Sequence, residues 1–141
     1  MCRFSDKIQN VNWQQLCVIY EITGLNMRKP QELEQAFQNS QYTILVYDKE
    51  KIIGAGRAIS DGVYYAGIFD IAVLPDYQER GIGKEIMNYL LKQLDGQFII
   101  LTTTIGKEGF YRKLEFKKHK TAMAIYPPHK QTSAKIYLEK E

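Results

Sequence analysis

The sequence predicts a mixed α/β (α+β) fold, in which helices flank a central sheet within one domain spanning residues 1–141. Two amphipathic helical segments open the chain, three strand segments follow, and a strand–helix–strand unit then covers residues 68–102. This order differs from the regular strand–helix alternation of a doubly wound fold. We expect the domain core to span about residues 12–126 and residues 129–141 to form a tail or an extra strand.

Two helices are expected before the first strand. Asn12 is a good N-cap, apolar residues then repeat at helical spacing, and Gly24 is placed to end the first helix. Pro30 suits the first turn of the second helix, in which apolar residues again share one face. Both segments therefore present an apolar side to a core.

Strand segments follow at residues 43–48, 51–60 and 63–74. A polar turn at Lys49-Glu50 separates the first two, and Asp61-Gly62 is a strong turn signal before the third. The end of the third segment is almost wholly apolar, as in a strand that is covered on both faces, and Pro75 stops it.

The second half of the chain continues with a helix at residues 81–94, which carries an apolar stripe. A second buried strand is expected at residues 98–102, so that the unit forms a crossover between parallel strands. A short helix at 107–114 and strands near 115–119 and 121–126 complete the prediction.

Composition is ordinary for a folded soluble domain, with 45% hydrophobic and 25% charged residues. No apolar run approaches the roughly 20 residues that cross a bilayer, and the N-terminus lacks a signal peptide's apolar stretch. We therefore expect a cytoplasmic protein without membrane association. A net charge of +3, mixed in sign along the chain, does not indicate nucleic acid binding. Cys2 and Cys17 lack metal-site spacing, so two reduced thiols and no metal are expected.

The loop between residue 74 and the 81–94 helix is the first candidate site. Gly81 and Gly83 allow the backbone to approach a ligand and to turn its N–H groups in one direction. With the helix N-terminus behind them, these groups suit an anion such as pyrophosphate, and Arg80 and Lys84 add positive charge. Alone, the pattern is equally that of a plain helix start. It is neither a Walker loop nor a dinucleotide fingerprint, in which a glycine would replace Ile86.

A second motif, G-F-Y-R-K-L-E-F, lies at residues 109–116. Q-E-R-G-I-G at 78–83 matches the Q/R-x-x-G-x-G/A motif of the GNAT acetyltransferase superfamily, and F-Y-R-K-L-E-F resembles that family's F-Y-x-K-x-G-F. The resemblance covers residues 42–126. The short N-terminal helices, together with R-A-I-S-D at 57–61 and I-F-D-I-A-V-L-P at 68–75, look like the small bacterial and plastid group related to serotonin N-acetyltransferases.

The resemblance implies an N-acetyltransferase that uses acetyl-CoA as its co-substrate. It implies that the backbone at Ile71 and Val73 pairs with the acetyl-pantetheine arm like an added strand, and that the amides of Gln78 to Lys84 cradle the pyrophosphate. It also implies that Tyr111 protonates the departing thiolate, unless its ring only packs in the core. The implied cofactor-binding residues are Ile71, Ala72, Val73, Gln78, Glu79, Arg80, Gly81, Ile82, Gly83, Lys84 and Tyr111.

The sequence leaves open which group acts as the base that deprotonates the acceptor amine. An alkylamine with a lysine-like pKa of about 10.4 is almost fully charged at pH 7. Many relatives carry a glutamate in an E-D-x-x-V pattern, but here Phe69 takes the glutamate's place and Asp70 the aspartate's. Strand alternation is expected to put Asp70 on the face opposite Phe69. The candidate bases are Asp70 acting through water, Glu108, an ordered water chain and a backbone carbonyl. A purely structural hydrogen-bonding role for Asp70 is an equal alternative, which the residues leave open.

An acyl-enzyme is not expected, because His119 and His129 lack the partners of a catalytic triad and Cys17 lies on an early helix. Direct attack in a ternary complex is the expected mechanism. An aromatic amine pocket is one interpretation of several rings, which core packing explains equally well. These rings are Tyr64, Tyr65, Phe69 and Tyr126.

Three functions stay open at this point. The first is acetylation of a small-molecule primary amine, and the second is acetylation of a peptide N-terminus or a lysine. The third is a non-catalytic acyl-CoA sensor, which the missing glutamate keeps open. A generic nucleotide-binding domain would leave Tyr111 unexplained. The resemblance also suggests a homodimer, to which residues 136–138 would contribute a strand.

Overall fold

The computed structural model describes residues 1–141, which divide into two compact units, residues 1–102 and residues 103–141. The first unit is built on a five-stranded sheet with a mixed strand arrangement. Its strands, which lie side by side in chain order, are β1 (Arg3–Ser5), β2 (Tyr42–Asp48), β3 (Lys51–Ser60), β4 (Tyr65–Val73) and β5 (Phe98–Ile100). Neighbours are antiparallel except β4 and β5, which are parallel. The predicted fold class is confirmed.

Two helices precede β2, namely α1 (Trp13–Ile22) and α2 (Pro30–Gln38). The Asn12 side chain accepts a hydrogen bond from the Gln15 N–H at 3.0 Å, which confirms the predicted N-cap. Gly24 adopts a φ of +85° where α1 ends, and the Leu25 N–H reaches back to the Tyr20 carbonyl at 2.8 Å. Tyr20 is fully buried between α1 and the sheet.

The predicted crossover is confirmed, because α3 (Ile82–Gln93) joins the parallel strands β4 and β5. The helix packs on β2, β3 and β4. Its buried residues are Ile82, Ile86, Met87 and Leu90, and the buried Leu94 directly follows it. The strand β5 is shorter than predicted and is not buried, since Phe98 is 47% and Ile100 38% exposed. An apolar run does not distinguish a strand covered on both faces from one that leaves a face open.

The strand β1 was not predicted, because three residues give no periodic pattern; it forms by pairing with the middle of β2. A second irregularity lies in β4. Ala55 of β3 pairs with Ala72 and Arg57 pairs with Phe69, so two steps along β3 correspond to three along β4. Asp70 lies in this β-bulge with a φ of +61°, a left-handed conformation that few non-glycine residues adopt.

The second unit contains α4 (Glu108–Arg112) and α5 (Gln131–Tyr137) and no strand. The predicted strands near 115–119 and 121–126 are therefore wrong. Local hydrogen bonds occupy donors that a strand would use, since the Phe116 N–H bonds the Tyr111 carbonyl and the Thr121 N–H bonds His119 Nδ1. The extra strand suggested for residues 136–138 is also wrong, because most of this segment is helical. None of the helices in the chain has the length and apolar character that crossing a membrane requires.

Candidate active site

The loop between β4 and α3 presents backbone N–H groups at the surface. Glu79 and Gly81 both adopt left-handed backbone, with φ values of +65° and +83°. Gly81 is the N-cap of α3, and no side chain bonds the first N–H groups of this helix. Residues 78–81 are exposed. A helix start that lacks a side-chain cap is a suitable place for a phosphate group.

Side chains of the first unit brace this loop. Gln78 Nε2 donates a hydrogen bond to the Val73 carbonyl at 2.9 Å. The Arg80 guanidinium lies 5.0 Å from the centre of the Tyr77 ring, and the Tyr77 hydroxyl donates to the Asp48 carboxylate. That hydrogen bond lowers the pKa of Asp48. Arg80 therefore packs on the turn before the loop and forms no ion pair there.

The second half of β4 has a free edge. β5 pairs only with residues 65–67 of β4, so from Ile68 onward this edge of β4 has no strand partner in the sheet. Ala72 is buried, whereas Ile71 and Val73 are half-buried. An extended ligand can add to such an edge as a further strand does. The expected cofactor residues 71–73 and 78–84 thus lie on one continuous segment of the first unit.

Asp70 lies within this edge, directly before residues 71–73, and is held by two arginines. Arg28 donates to both carboxylate oxygens, from Nη1 to Oδ2 at 2.7 Å and from Nη2 to Oδ1 at 2.8 Å. Arg57 Nε donates to Oδ2 at 2.8 Å. The Asp70 side chain is only 8% exposed. The Arg57 guanidinium also lies 5.6 Å from the centre of the Phe69 ring.

The expectation that Asp70 lies on the face opposite Phe69 is wrong. One guanidinium contacts both side chains, since the bulge interrupts the alternation between residues 69 and 71. Burial alone would raise the pKa of Asp70, but the hydrogen bonds and charges of Arg28 and Arg57 outweigh it and hold the pKa below its ordinary value. Asp70 is therefore an ionised partner of arginine, an arrangement that favours a structural role over a proton acceptor.

Exposed aromatic rings continue along β4 on the side of Phe69. Tyr65 is 64% and Phe69 39% exposed, so core packing does not account for them. The Tyr65 ring meets Phe98 of β5 edge to face, with 5.9 Å between centroids. Phe98 was not identified from the sequence, although the parallel pairing of β4 with β5 places it beside Tyr65. Tyr64 is also exposed, and the centroid of its ring lies 6.3 Å from that of Tyr65.

In the second unit, Tyr111 lies on α4 and is half-buried. Its ring packs edge to face against Phe110 at 4.9 Å and Phe116 at 6.0 Å. Burial raises the pKa of Tyr111, so the phenol keeps its proton at neutral pH. The Glu108 carboxylate accepts a hydrogen bond from the Gly106 N–H at 2.6 Å, and backbone N–H groups lower its pKa. Tyr126 is half-buried in the same unit.

Cys2 and Cys17 form no disulfide bond in the structure. Cys17 is buried, and burial raises the pKa of its thiol, although the charge of Arg28 opposes this effect. A thiol with a raised pKa is a poor nucleophile at neutral pH. No cluster of three or more His, Cys, Asp or Glu side chains in the chain is arranged to hold a metal ion.

Residues 14–124 match the family model of the acetyltransferase (GNAT) domain. An uncharacterized N-acetyltransferase, ycf52, of Porphyra purpurea is 34% identical over 118 residues, an alignment that covers 78% of this chain and 67% of the relative. Serotonin N-acetyltransferase 2, chloroplastic, of Oryza sativa subsp. japonica is 28% identical, with 80% and 62% covered.

Among solved structures, a probable acetyltransferase of meticillin-resistant Staphylococcus aureus superposes with a TM-score of 0.81 at 26% identity. The superposition covers 90% of this chain and 98% of that protein. The likeness therefore extends over nearly the whole of both chains, and the two share one fold.

Proposed function

This chain belongs to the GNAT acetyltransferase family, and we propose that it transfers the acetyl group of acetyl-CoA to a small primary amine by direct attack in a ternary complex. The observation that carries the proposal is the uncapped start of α3 at Gly81, which follows the free edge of β4 along the chain. A phosphate site and an edge for an extended arm, joined by a short loop, suit a long diphosphate carrier such as CoA.

The acetyl-CoA site comprises the backbone of Ile71, Ala72 and Val73 for the pantetheine arm and the 78–84 loop for the diphosphate. Gly81 provides the left-handed backbone at which the loop turns into α3. The first N–H groups of α3 have no side-chain partner that a diphosphate would have to displace. Arg80 and Lys84 are exposed and form no ion pair with a carboxylate, so their charge is available to the phosphates.

In the proposed reaction the amine nitrogen attacks the thioester carbonyl, so that a C–N bond forms and the C–S bond breaks. Tyr111 gives its proton to the CoA thiolate, a role implied by the family motif and supported by a pKa that keeps the phenol protonated. The amine's proton passes to water. We assign it to water because Asp70 is occupied by two arginines and Glu108 by backbone N–H groups.

The proposed acceptor is an amine with an aromatic or apolar body. The exposed rings of Tyr65, Phe69 and Phe98 on one part of the sheet offer a surface on which a ring can stack. The rice relative is named a serotonin N-acetyltransferase, which agrees with this class of acceptor. Protein or peptide acetylation is the competing class of acceptor.

A thiol-release assay with acetyl-CoA and a panel of acceptors tests the proposal. The panel contains arylalkylamines, aliphatic amines of equal length, polyamines and short peptides with free N-termini. We expect CoA release above the acetyl-CoA hydrolysis control, with kcat/KM highest for the arylalkylamines. Turnover restricted to peptides would identify a protein acetyltransferase. Tight binding of acetyl-CoA without turnover on any acceptor would identify a sensor. A sensor is the second candidate function, because no carboxylate near Phe69 is free to act as a base.

A further inference from the structure

Side chains from distant parts of the chain hold the β-bulge at Asp70 from several directions. The Tyr20 hydroxyl donates to the Asp70 carbonyl at 2.8 Å, and the Arg28 guanidinium lies 4.9 Å from the centre of the Tyr20 ring. Arg57 reaches Asp70 through Nε and Ser40 Oγ through Nη1, at 2.8 and 3.2 Å. Three parts of the first unit thus meet at Asp70, and Ser40 from a fourth part bonds Arg57.

The contacts fix both the side chain and the backbone of Asp70. Both of its carboxylate oxygens accept from Arg28, and its carbonyl is bonded by a fully buried tyrosine. A left-handed backbone is unfavourable for an aspartate in a strand, and it persists where surrounding contacts over-determine it. The contacts come from α1, the α1–α2 connection and β3, so three elements outside β4 hold the bulge.

The bulge lies within the free edge of β4, directly before residues 71–73. Opposite it, Gly56 leaves room for the Ile71 side chain, because a Cβ at Gly56 would lie 2.6 Å from Ile71 Cδ1. The direction in which residues 71–73 present their backbone therefore depends on the shape of the bulge. Those are the residues that the proposed function assigns to the pantetheine arm.

We propose that Asp70 is a positioning residue, which locks the bulge through Arg28, Arg57 and Tyr20 and thereby aligns the β4 edge with the acetyl-pantetheine arm. This inference rests on the proposed function. Asp70 does not exchange a proton with the substrate. Its carboxylate acts as a fixed anchor, and Tyr20 holds the carbonyl of the same residue.

The experiment compares Asp70→Asn and Tyr20→Phe with Asp95→Asn, which removes an exposed carboxylate elsewhere in the first unit. Calorimetry measures CoA affinity, and steady-state kinetics give kcat and KM for acetyl-CoA across pH. We expect Asp70→Asn to raise KM for acetyl-CoA and Kd for CoA about tenfold, and kcat/KM to fall about 100-fold, as small misplacements of a reacting group do. The pH dependence of kcat stays that of the wild type.

Tyr20→Phe keeps the buried ring and removes only the bond to the Asp70 carbonyl, so it tests the same inference if Asp70→Asn does not fold. We expect a change in KM and Kd in the same direction, and wild-type values for Asp95→Asn. Wild-type KM and Kd in folded Asp70→Asn and Tyr20→Phe would overturn the inference. So would loss of the acidic limb of the pH profile at unchanged KM, which would make Asp70 a base. Absence of CoA binding by the wild type would instead refute the proposed function on which the inference depends.

Discussion

At the scale of single residues, two ionisable side chains keep their ordinary charge at neutral pH for opposite physical reasons. Burial raises the pKa of Tyr111 further above its ordinary value of about 10, at which a phenol is already protonated at neutral pH. Asp70 is also buried, but two guanidinium groups outweigh burial and keep it ionised. A phenol that retains its proton suits a general acid, whereas a carboxylate bound by two arginines suits an anchor.

Replacing Tyr111 by phenylalanine removes the proposed proton donor and keeps the ring that packs on Phe110 and Phe116. We expect kcat to fall about 100- to 10,000-fold, the range that general acid catalysis supplies, with an unchanged Kd for CoA by calorimetry. Tyr137→Phe, on α5 of the same unit, is the matched control and should retain wild-type kcat. Equal kcat in Tyr111→Phe and wild type would reduce Tyr111 to a packing residue.

The lowered pKa of Asp70 gives the protein a stability that depends on pH. Because the folded pKa lies below the unfolded value of about 3.9, the ionised form stabilises the fold above that value, and this contribution is lost as the pH falls through the folded pKa. Asp70→Asn should lower the free energy of unfolding by about 1–3 kcal/mol at pH 7, since it removes the negative charge and leaves one amide oxygen where two carboxylate oxygens accept from Arg28 and Arg57.

Urea unfolding between pH 7 and pH 2.5 measures this effect. The difference in unfolding free energy between wild type and Asp70→Asn should shrink below pH 4. The exposed Asp95→Asn variant should follow the wild-type curve. A difference of constant size at every pH would show that the ion pairs at Asp70 do not stabilise the fold.

At the scale of elements, the start of α3 combines a left-handed Gly81 with helix N–H groups that no side chain caps. Gly96, which follows the end of the same helix, has nearly the same φ, +84° against +83°. A Cβ would meet nothing within 4 Å at either position, so alanine would strain the backbone in both without a steric clash. Comparing alanine substitutions at the two glycines therefore separates the effect of backbone strain from the effect on ligand binding.

Gly81→Ala and Gly96→Ala should each lower the free energy of unfolding by about 1–2 kcal/mol, the cost of left-handed backbone for a residue with a Cβ. Only Gly81→Ala should weaken CoA binding, about tenfold, which corresponds to about 1.4 kcal/mol, because it redirects the amides of the loop. Thermal unfolding and calorimetry measure the two quantities. Equal CoA affinities in both variants would exclude the 78–84 loop as the phosphate site.

At the scale of the whole molecule, apolar side chains lie exposed on and just after α5. Ile136, Tyr137 and Leu138 were expected to form an intersubunit strand, but this segment is mainly helix and leaves all three at the surface. A homodimer remains a prediction from the family resemblance, with a helix rather than a strand as the element that it would use. The cytoplasmic location expected from the sequence also stays a prediction.

Light scattering at micromolar concentration tests the dimer. We expect about twice the chain mass of 16.4 kDa, since burying three apolar side chains per chain favours association. Ile136→Lys should shift the mass toward one chain, whereas Lys140→Glu, at the exposed end of the sequence, should not. A mass of 16.4 kDa for the wild type at all accessible concentrations would exclude the dimer.

The sequence alone determined the features that depend on neighbouring residues. Local backbone preferences and periodicity predicted six such features. These are the caps at Asn12 and Gly24, the turns before β3 and β4, the amphipathic helix α3 and the loop at Gly81. The motifs at 78–83 and 109–116 also indicated the family, because the residues that carry them are contiguous.

Only the tertiary structure decided what depends on partners distant in the chain. The strand β1 exists through pairing with β2, and the bulge at Asp70 is held by Tyr20 and Arg28, 50 and 42 residues away. Phe98 joins the exposed rings through parallel pairing, whereas residues 115–126 form local bonds where strands were expected. These outcomes are set by competition between local and long-range hydrogen bonds, which a periodic pattern does not encode.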